Sequence, residues 1–228
     1  MLVNGAFYVK QFISELRDLF KTRNITVYDG RIVVWLSGPD HTFQPQFNEA
    51  QFDRILKRYS SWAIISNAGR FIKGLRTLYI QCKDMLPILP SLGFVIGDKS
   101  WAYFNEISFY HMIRLCKDSI QKFYGHTRLV YLAGPSIMSI IRYDKNHGTN
   151  LLEFLYSYFK HGRNAAATAA ELHMHRNTVV YRIKKIEDIL HLSELDEQTL
   201  HELDISCHIM MYAKYVEHEE YRISQDIN

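Results

Sequence analysis

Residues 168–187 read TAAELHMHRNTVVYRIKKIE, a stretch without glycine or proline that mixes alanines, two histidines, an Arg-Asn-Thr triplet and a basic run. Ala165, Ala166, Ala167, Ala169 and Ala170 favour helix and let a neighbouring helix approach closely. Val179, Ile183, Ile186 and Leu190 step by four, three and four residues, which is one apolar stripe of an α-helix. The step from Leu172 to Val179 breaks that rhythm. Two helices joined by a tight turn near His173–His175 fit the spacing better than one long helix. The second helix begins near Arg176 in this scheme. It turns Arg176, Asn177, Val180, Tyr181, Lys184 and, at the edge of the face, Lys185 outward.

Such a pair has the layout of a helix-turn-helix, whose second helix lies in the DNA major groove with its N-terminal side chains toward base edges. The residue types suit that task. Arg176 can donate two hydrogen bonds to guanine, and Asn177 can pair with adenine. Thr178, Tyr181, Arg182, Lys184 and Lys185 can hold phosphates, which set register without reading sequence. The alternative is an amphipathic helical hairpin with a charged, solvated outer face.

Charge distribution bears on the choice. The net charge of +3 is too small to identify a nucleic-acid partner by itself. Residues 1–149 carry 19 Lys and Arg against 11 Asp and Glu, whereas residues 150–228 carry 8 against 13. Within that acidic third, Lys160, Arg163, Arg176, Arg182, Lys184 and Lys185 form a basic island facing one acid, Glu171.

The 228 residues are 47% hydrophobic and 22% charged, a globular composition. No run of about 18 apolar residues suggests a membrane span, and the N-terminus lacks the pattern of a signal peptide. Cys82, Cys116 and Cys207 are odd in number and form no CxxC pair, so a reducing, cytoplasmic location is expected.

The first part of the chain reads as α+β. ITVYDGRIVVWL is two β-rich runs around Asp29-Gly30, a strong hairpin signal. FNEAQFDRILKRY has helical spacing, SWAIIS suits a buried strand, and GRFIKGLRTLYIQCKDML reads as a helix that ends before Pro87. GFVIGDKSWAYF looks like strand, turn, strand. The order suggests an antiparallel-leaning sheet with helices on one face. Trp35, Trp62 and Trp101 fall in these runs and are expected in the core. EISFYHMIRLCKDSIQKFYG is a helix stopped by Gly125. The punctuated stretch GPSIMSIIRYDKNHGTN is expected to hold a boundary between domains at 1–141 and 142–228. Thr149 or Asn150 is expected to cap the helix LLEFLYSYFKHG.

At this point the pattern becomes specific. TAAELHMHRNTVVYRIKKIEDIL resembles the C-terminal helix-turn-helix of the purine-catabolism regulator (PucR) and sugar-diacid regulator (CdaR) families of bacterial transcription factors. Thr168, Ala169, Leu172, His175, Asn177, Thr178, Tyr181, Arg182 and Ile183 match; Met174 replaces a branched aliphatic, and Phe154 stands where a threonine is usual. The preceding segment is similar to the family's lead-in, with Tyr143-Asp144 as its Tyr-Asp pair. The resemblance adds Thr168 and His175 to the expected DNA-binding set, His175 against phosphate or against the backbone of the turn. WAIISNAGRFIKGLRTLYIQCKDML and AYFNEISFYHMI are similar to the degenerate GGDEF-like domain that precedes this helix-turn-helix. That likeness implies a shrunken relative of the nucleotide-cyclase fold. Many family members carry a sensor region ahead of it, so the chain is expected to be a fragment or a short variant.

Enzymatic readings find little support. A cyclase of this type needs metal-binding carboxylates and a glycine-rich turn, and YDGR offers one of each, Asp29 and Gly30. No GGDEF, GxSxG, HExxH or Walker A sequence occurs. His173 and His175, two apart on a helix, would point about 200° from one another. No catalytic residue, metal or cofactor is therefore expected. The expected partners are double-stranded DNA, a second copy of the chain, since one helix-turn-helix buries little surface, and a small effector sensed outside this chain. The acidic run SELDEQTLHELDIS should open a helical tail that packs on the bundle or joins copies. A non-catalytic nucleotide- or metabolite-binding domain with a helical interaction module is the alternative.

Overall fold

The computed structural model describes residues 6–38, 44–69, 71–126, 128–191 and 196–218. The chain divides into two compact units, Met1–Met112 and Ile113–Asn228. Among the described residues, no helix is long and apolar enough to cross a membrane.

In the N-terminal unit, α1 (Ala6–Phe20) precedes a hairpin of β1 (Ile25–Tyr28) and β2 (Arg31–Val34). Asp29 and Gly30 form its two-residue turn with φ of 51° and 68°. Both values are left-handed, as a tight hairpin of matching twist requires. Helix α2 (Glu49–Arg58) starts at Asn48, whose side chain accepts the N–H of Gln51 at 2.9 Å. Its buried face, Phe52, Ile55 and Leu56, meets Phe12, Leu16 and Leu19 of α1 and the indole of Trp101. Next come β3 (Ala63–Ile65), α3 (Leu75–Met85), a 3-10 stretch (Leu86–Leu92), α4 (Gly93–Ile96) and β4 (Trp101–Tyr103). Helix α5 (Phe104–Tyr124) begins here, runs on past Met112 and ends at Gly125, φ 74°.

Several expectations are corrected. The strands form two separate pairs, β1 with β2 antiparallel and β3 with β4 parallel, instead of one antiparallel-leaning sheet. The stretch GFVI is helical. Leu89, Leu92 and Ile96 are buried three and four residues apart, a helical spacing that a strand cannot satisfy. Trp101 is core, but Trp35 is 39% exposed and Trp62 half-buried.

In the C-terminal unit, a 3-10 turn (Leu129–Leu132) leads to α6 (Pro135–His147), α7 (Leu151–Lys160), α8 (Ala165–Glu171), α9 (Arg176–Leu190) and α10 (Glu197–Tyr215). The punctuated stretch expected to be a boundary is helix α6. Its Gly-Pro pair stands at the start and Gly148, left-handed at φ 62°, at the end, the usual asymmetry of helix termini. The two compact units meet at 112/113, and position 141/142 lies inside α6. Helix α10 opens at Asp196, which accepts the N–H of Thr199 at 2.7 Å. It packs on α7, α6 and the 3-10 turn, with Leu203, Cys207, Met210 and Tyr212 fully buried. Burial pushes the Cys207 thiol well above its usual range, so this cysteine is an inert core residue.

Replacing Gly30 by valine puts a β-branched side chain into a left-handed conformation. It should lower the stability of the N-terminal unit by about 1–2 kcal/mol, read by urea denaturation.

Candidate nucleic-acid interface

Helix α8 begins at Asn164, whose Oδ1 accepts the N–H groups of Ala166 and Ala167 at 2.9 and 3.1 Å. It ends at Leu172, and the chain reverses through His173, which takes a left-handed φ of 50°. The N–H of Met174 donates back to Ala169 O at 2.9 Å. His175 then adopts extended backbone and caps α9, its Nδ1 accepting the N–H of Asn177 at 3.1 Å. Acceptance at Nδ1 requires that nitrogen to be unprotonated. Of the two roles the resemblance allowed His175, the backbone of the turn is the one its ring fills.

Two sets of contacts brace this pair from behind. Glu171, at the end of α8, accepts hydrogen bonds from Ser157 Oγ and, at 3.0 Å, from Lys160 Nζ; His161 Nδ1 lies 3.4 Å away. Burial pushes the Glu171 carboxyl up, but the Ser157 and Lys160 hydrogen bonds and the Lys160 charge outweigh it, so it sits below the ordinary value of 4.5. The second set starts from Asp144 in α6. Its carboxylate accepts the N–H groups of Leu151 at 2.8 Å and Leu152 at 3.0 Å and the hydroxyl of Thr149 at 2.5 Å. Asp144, not Thr149 or Asn150, thus caps α7. Asn150 Oδ1 instead accepts a hydrogen bond from Arg182 Nη1 at 3.0 Å. The Arg182 guanidinium also lies 5.4 Å from the centroid of the Phe154 ring, a favourable cation–π placement. Lys185 Nζ sits 5.1 Å from the centroid of Tyr143, whose ring stacks on His147.

These contacts sort the expected DNA-binding residues. Thr168 is fully buried, and its hydroxyl donates to Asn164 O at 2.8 Å; it has no surface to offer and is a bracing residue. Arg182 and Lys185 are half-buried and turned toward α7 and α6. His175, Arg176, Asn177, Thr178, Tyr181 and Lys184 are exposed. Val179 and Ile186 are buried on the opposite side, as the stripe required. Arg176, Val180 and Lys184 are four residues apart, and Asn177 and Tyr181 run beside them, so these five share one face. Val180 and Tyr181 are 44% and 68% exposed on it. Among the described residues, Arg176 and Lys184 have no hydrogen-bond or ion-pair partner, whereas Lys160 is bound to Glu171 and Arg163 to Glu197. The basic island is therefore mostly consumed internally. Asp144 and Asn164 were missed as caps. Asn164 carried a legible signal, a capping residue directly before an alanine run, but Asp144 acts from the preceding helix.

Residues 151–209 match the PucR C-terminal helix-turn-helix domain. The chain is also 23% identical over 184 residues to the DNA-binding transcriptional activator AdeR of Bacillus subtilis (strain 168), an alignment covering 78% of this chain and 42% of that protein. The chain thus spans less than half the length of that relative. No solved structure matches the chain.

Two outcomes test the bracing. Asp144→Ala leaves two α7 N–H groups without their acceptor and should destabilise the C-terminal unit by about 1–3 kcal/mol, measured by denaturant unfolding. Glu171→Gln should cost on the order of 1 kcal/mol near neutral pH, a value already reduced for solvent screening. A lowered carboxylate pKa stabilises fully above the unfolded value near 4.5 and is lost as pH falls through the lower folded value. The difference between parent and variant should accordingly vanish in that acid range.

Proposed function

We propose that this chain is a bacterial transcriptional regulator that binds double-stranded DNA and reads its sequence with α9 in the major groove. The carrying observation is the exposed row Arg176, Asn177, Val180, Tyr181 and Lys184 on a helix whose other side is locked. The match of residues 151–209 to the PucR-type domain and the name of the Bacillus relative support the same conclusion. Arg176 and Asn177, at the N-terminal end of α9, are assigned to base edges and Val180 to a thymine methyl. Thr178, Tyr181 and Lys184 are assigned to phosphate contacts, and His175 to capping α9 through Nδ1. Arg182 and Lys185 are given a positioning role first. DNA contact by either needs the side chain to leave its present partner.

The N-terminal unit is proposed to be a non-catalytic, degenerate relative of the GGDEF-type cyclase fold. Support comes from the Asp-Gly hairpin following α1 and from the state of its one acidic residue. Asp29 Oδ2 lies 2.6 Å from Lys83 Nζ and 3.1 Å from Arg31 Nη1. The Lys83 hydrogen bond and charge, together with Arg31, hold its carboxyl below the ordinary range. A carboxylate already shared by two cations is a poor start for a metal site. We assign the regulator to the cytoplasm, acting as a dimer or higher homo-oligomer that binds paired half-sites, with its effector sensed by a region outside this chain.

The test is a comparison of specific and random duplexes, using a sequence the chain itself selects. Arg176→Ala and Asn177→Ala should each reduce discrimination by about 1–3 kcal/mol if the side chain pairs with a base. Lys184→Ala should weaken binding to both duplexes and reduce the salt slope by about 1. Unchanged discrimination and an unchanged slope in folded variants would remove α9 from the interface.

A further inference from the structure

Strand β1 has β2 on one edge and, among the described residues, no strand on the other. The two-residue turn makes Tyr28 and Arg31 a hydrogen-bonded pair. By alternation Thr26 also bonds toward β2, as Asn24 does by accepting the N–H of Trp35 at 2.8 Å. The backbone groups of Ile25 and Val27 therefore point outward. The Ile25 N–H is taken by Arg23 O at 2.9 Å. Among the described residues, neither the N–H nor the C=O of Val27 has a partner.

Exposed strand edges recruit strands, and folded proteins guard them with a charge, a proline or a bulge. Strand β1, Ile-Thr-Val-Tyr in unbroken register with β2, has none of the three and consists of β-favouring residues. Its side chains are open as well. Thr26 is exposed, and Val27 and Tyr28 are 55% and 60% exposed. Two-stranded sheets are only marginally stable alone, so a further strand on this edge stabilises the hairpin.

We propose that the outer edge of β1 is the contact between two copies of this chain, their β1 strands lying antiparallel across a two-fold axis at Val27. Its role rests on the homo-oligomer reading above, which it supplies with a place. About that axis Val27 of each copy donates its N–H to Val27 O of the other, so only free backbone groups are used. The join makes one continuous sheet in the order β2-β1-β1-β2. The two Val27 side chains meet at the axis. On the other face Thr26 stands opposite Tyr28 of the second copy, twice, in the closer, non-hydrogen-bonded spacing. β-Branched and aromatic pairs of this kind stabilise sheets. Charge matches at the ends. Asp29 of the second copy stands opposite Ile25, so Arg23 is its diagonal neighbour, within reach of a long side chain. Arg23 is exposed and, among the described residues, has no ion-pair partner. The Asp29 side chain stays 46% exposed beside Lys83 and Arg31, and a carboxylate has lone pairs for a further donor. A second copy brings every one of these groups by symmetry, since a two-fold interface presents the same patch on both sides. So short a contact is smaller than a standard interface. Association is therefore weak in free solution and stronger when one duplex holds both copies.

The experiment is sedimentation equilibrium of the 228-residue chain without DNA, from about 10 µM to about 1 mM, a range that brackets a small interface. The average mass should climb from one chain toward two, and exchange of the Val27 amide should slow as concentration rises. Val27 is exposed, so Val27→Lys and Val27→Glu should both fold. Each sets two like charges directly opposite one another and should move the association midpoint at least about fivefold higher. An equimolar mixture of the two variants sets Lys against Glu and should associate at lower concentration than either variant alone. A parent chain that stays monomeric throughout would overturn the proposal. So would folded variants that associate as readily as the parent, which would move the contact to another face and leave the homo-oligomer reading standing. A mixture that associates no more tightly than its components would also overturn it. DNA takes no part in these measurements, so the reading of α9 is judged separately.

Discussion

Asp144 takes over the cap of α7, and the arrangement of the proposed reading face follows from that. Because its carboxylate accepts the N–H groups of Leu151 and Leu152, the amide of Asn150 is left to hold Arg182. Arg182 is one helical turn from Thr178 and lies between the exposed row and the buried stripe. Its attachment to Asn150 and Phe154 fixes the rotation of α9 about its own axis. A rotation that exposed Val179 and Ile186 would forfeit about 1.5–3 kcal/mol for each. A hydrophobic stripe and a polar latch on adjacent sides together leave one orientation.

Electrostatics in the C-terminal unit are correspondingly economical. Of the six cations in the basic island, Lys160 and Arg163 are paired with Glu171 and Glu197, and Arg182 and Lys185 lie against aromatic rings. Such surface pairs contribute little stability individually, but they remove positive charge from places where it would attract phosphate without register. What stays available, Arg176 and Lys184, lies on the face that also presents Asn177 and Tyr181.

The break in apolar rhythm between Leu172 and Val179 located the turn, and α9 spans Arg176–Leu190 as the stripe required. The Asp-Gly hairpin was equally legible, because positive φ at two successive residues is a local demand that few residue pairs meet. Long-range terms were not legible. The resemblance put Thr168 in the expected DNA-binding set, but the packing of α8 buries it, and nothing local to Arg182 announces that Asn150 holds it from 32 residues away. Gly93–Ile96 was read as strand because short apolar runs do not separate strand from helix by composition, whereas it is helical, with Leu89, Leu92 and Ile96 buried at helical spacing. The pairing of β3 with β4 depends on residues almost forty positions apart, which no local pattern encodes.

The most direct measurement of the central claim is a binding selection by the 228-residue chain from random duplex DNA at a stated, near-physiological salt concentration. The expected result is enrichment of a short motif, recurring as two half-sites about 10 base pairs apart, centre to centre. A folded chain that retains no sequence above the starting pool would contradict the assignment of α9 as a reader of DNA.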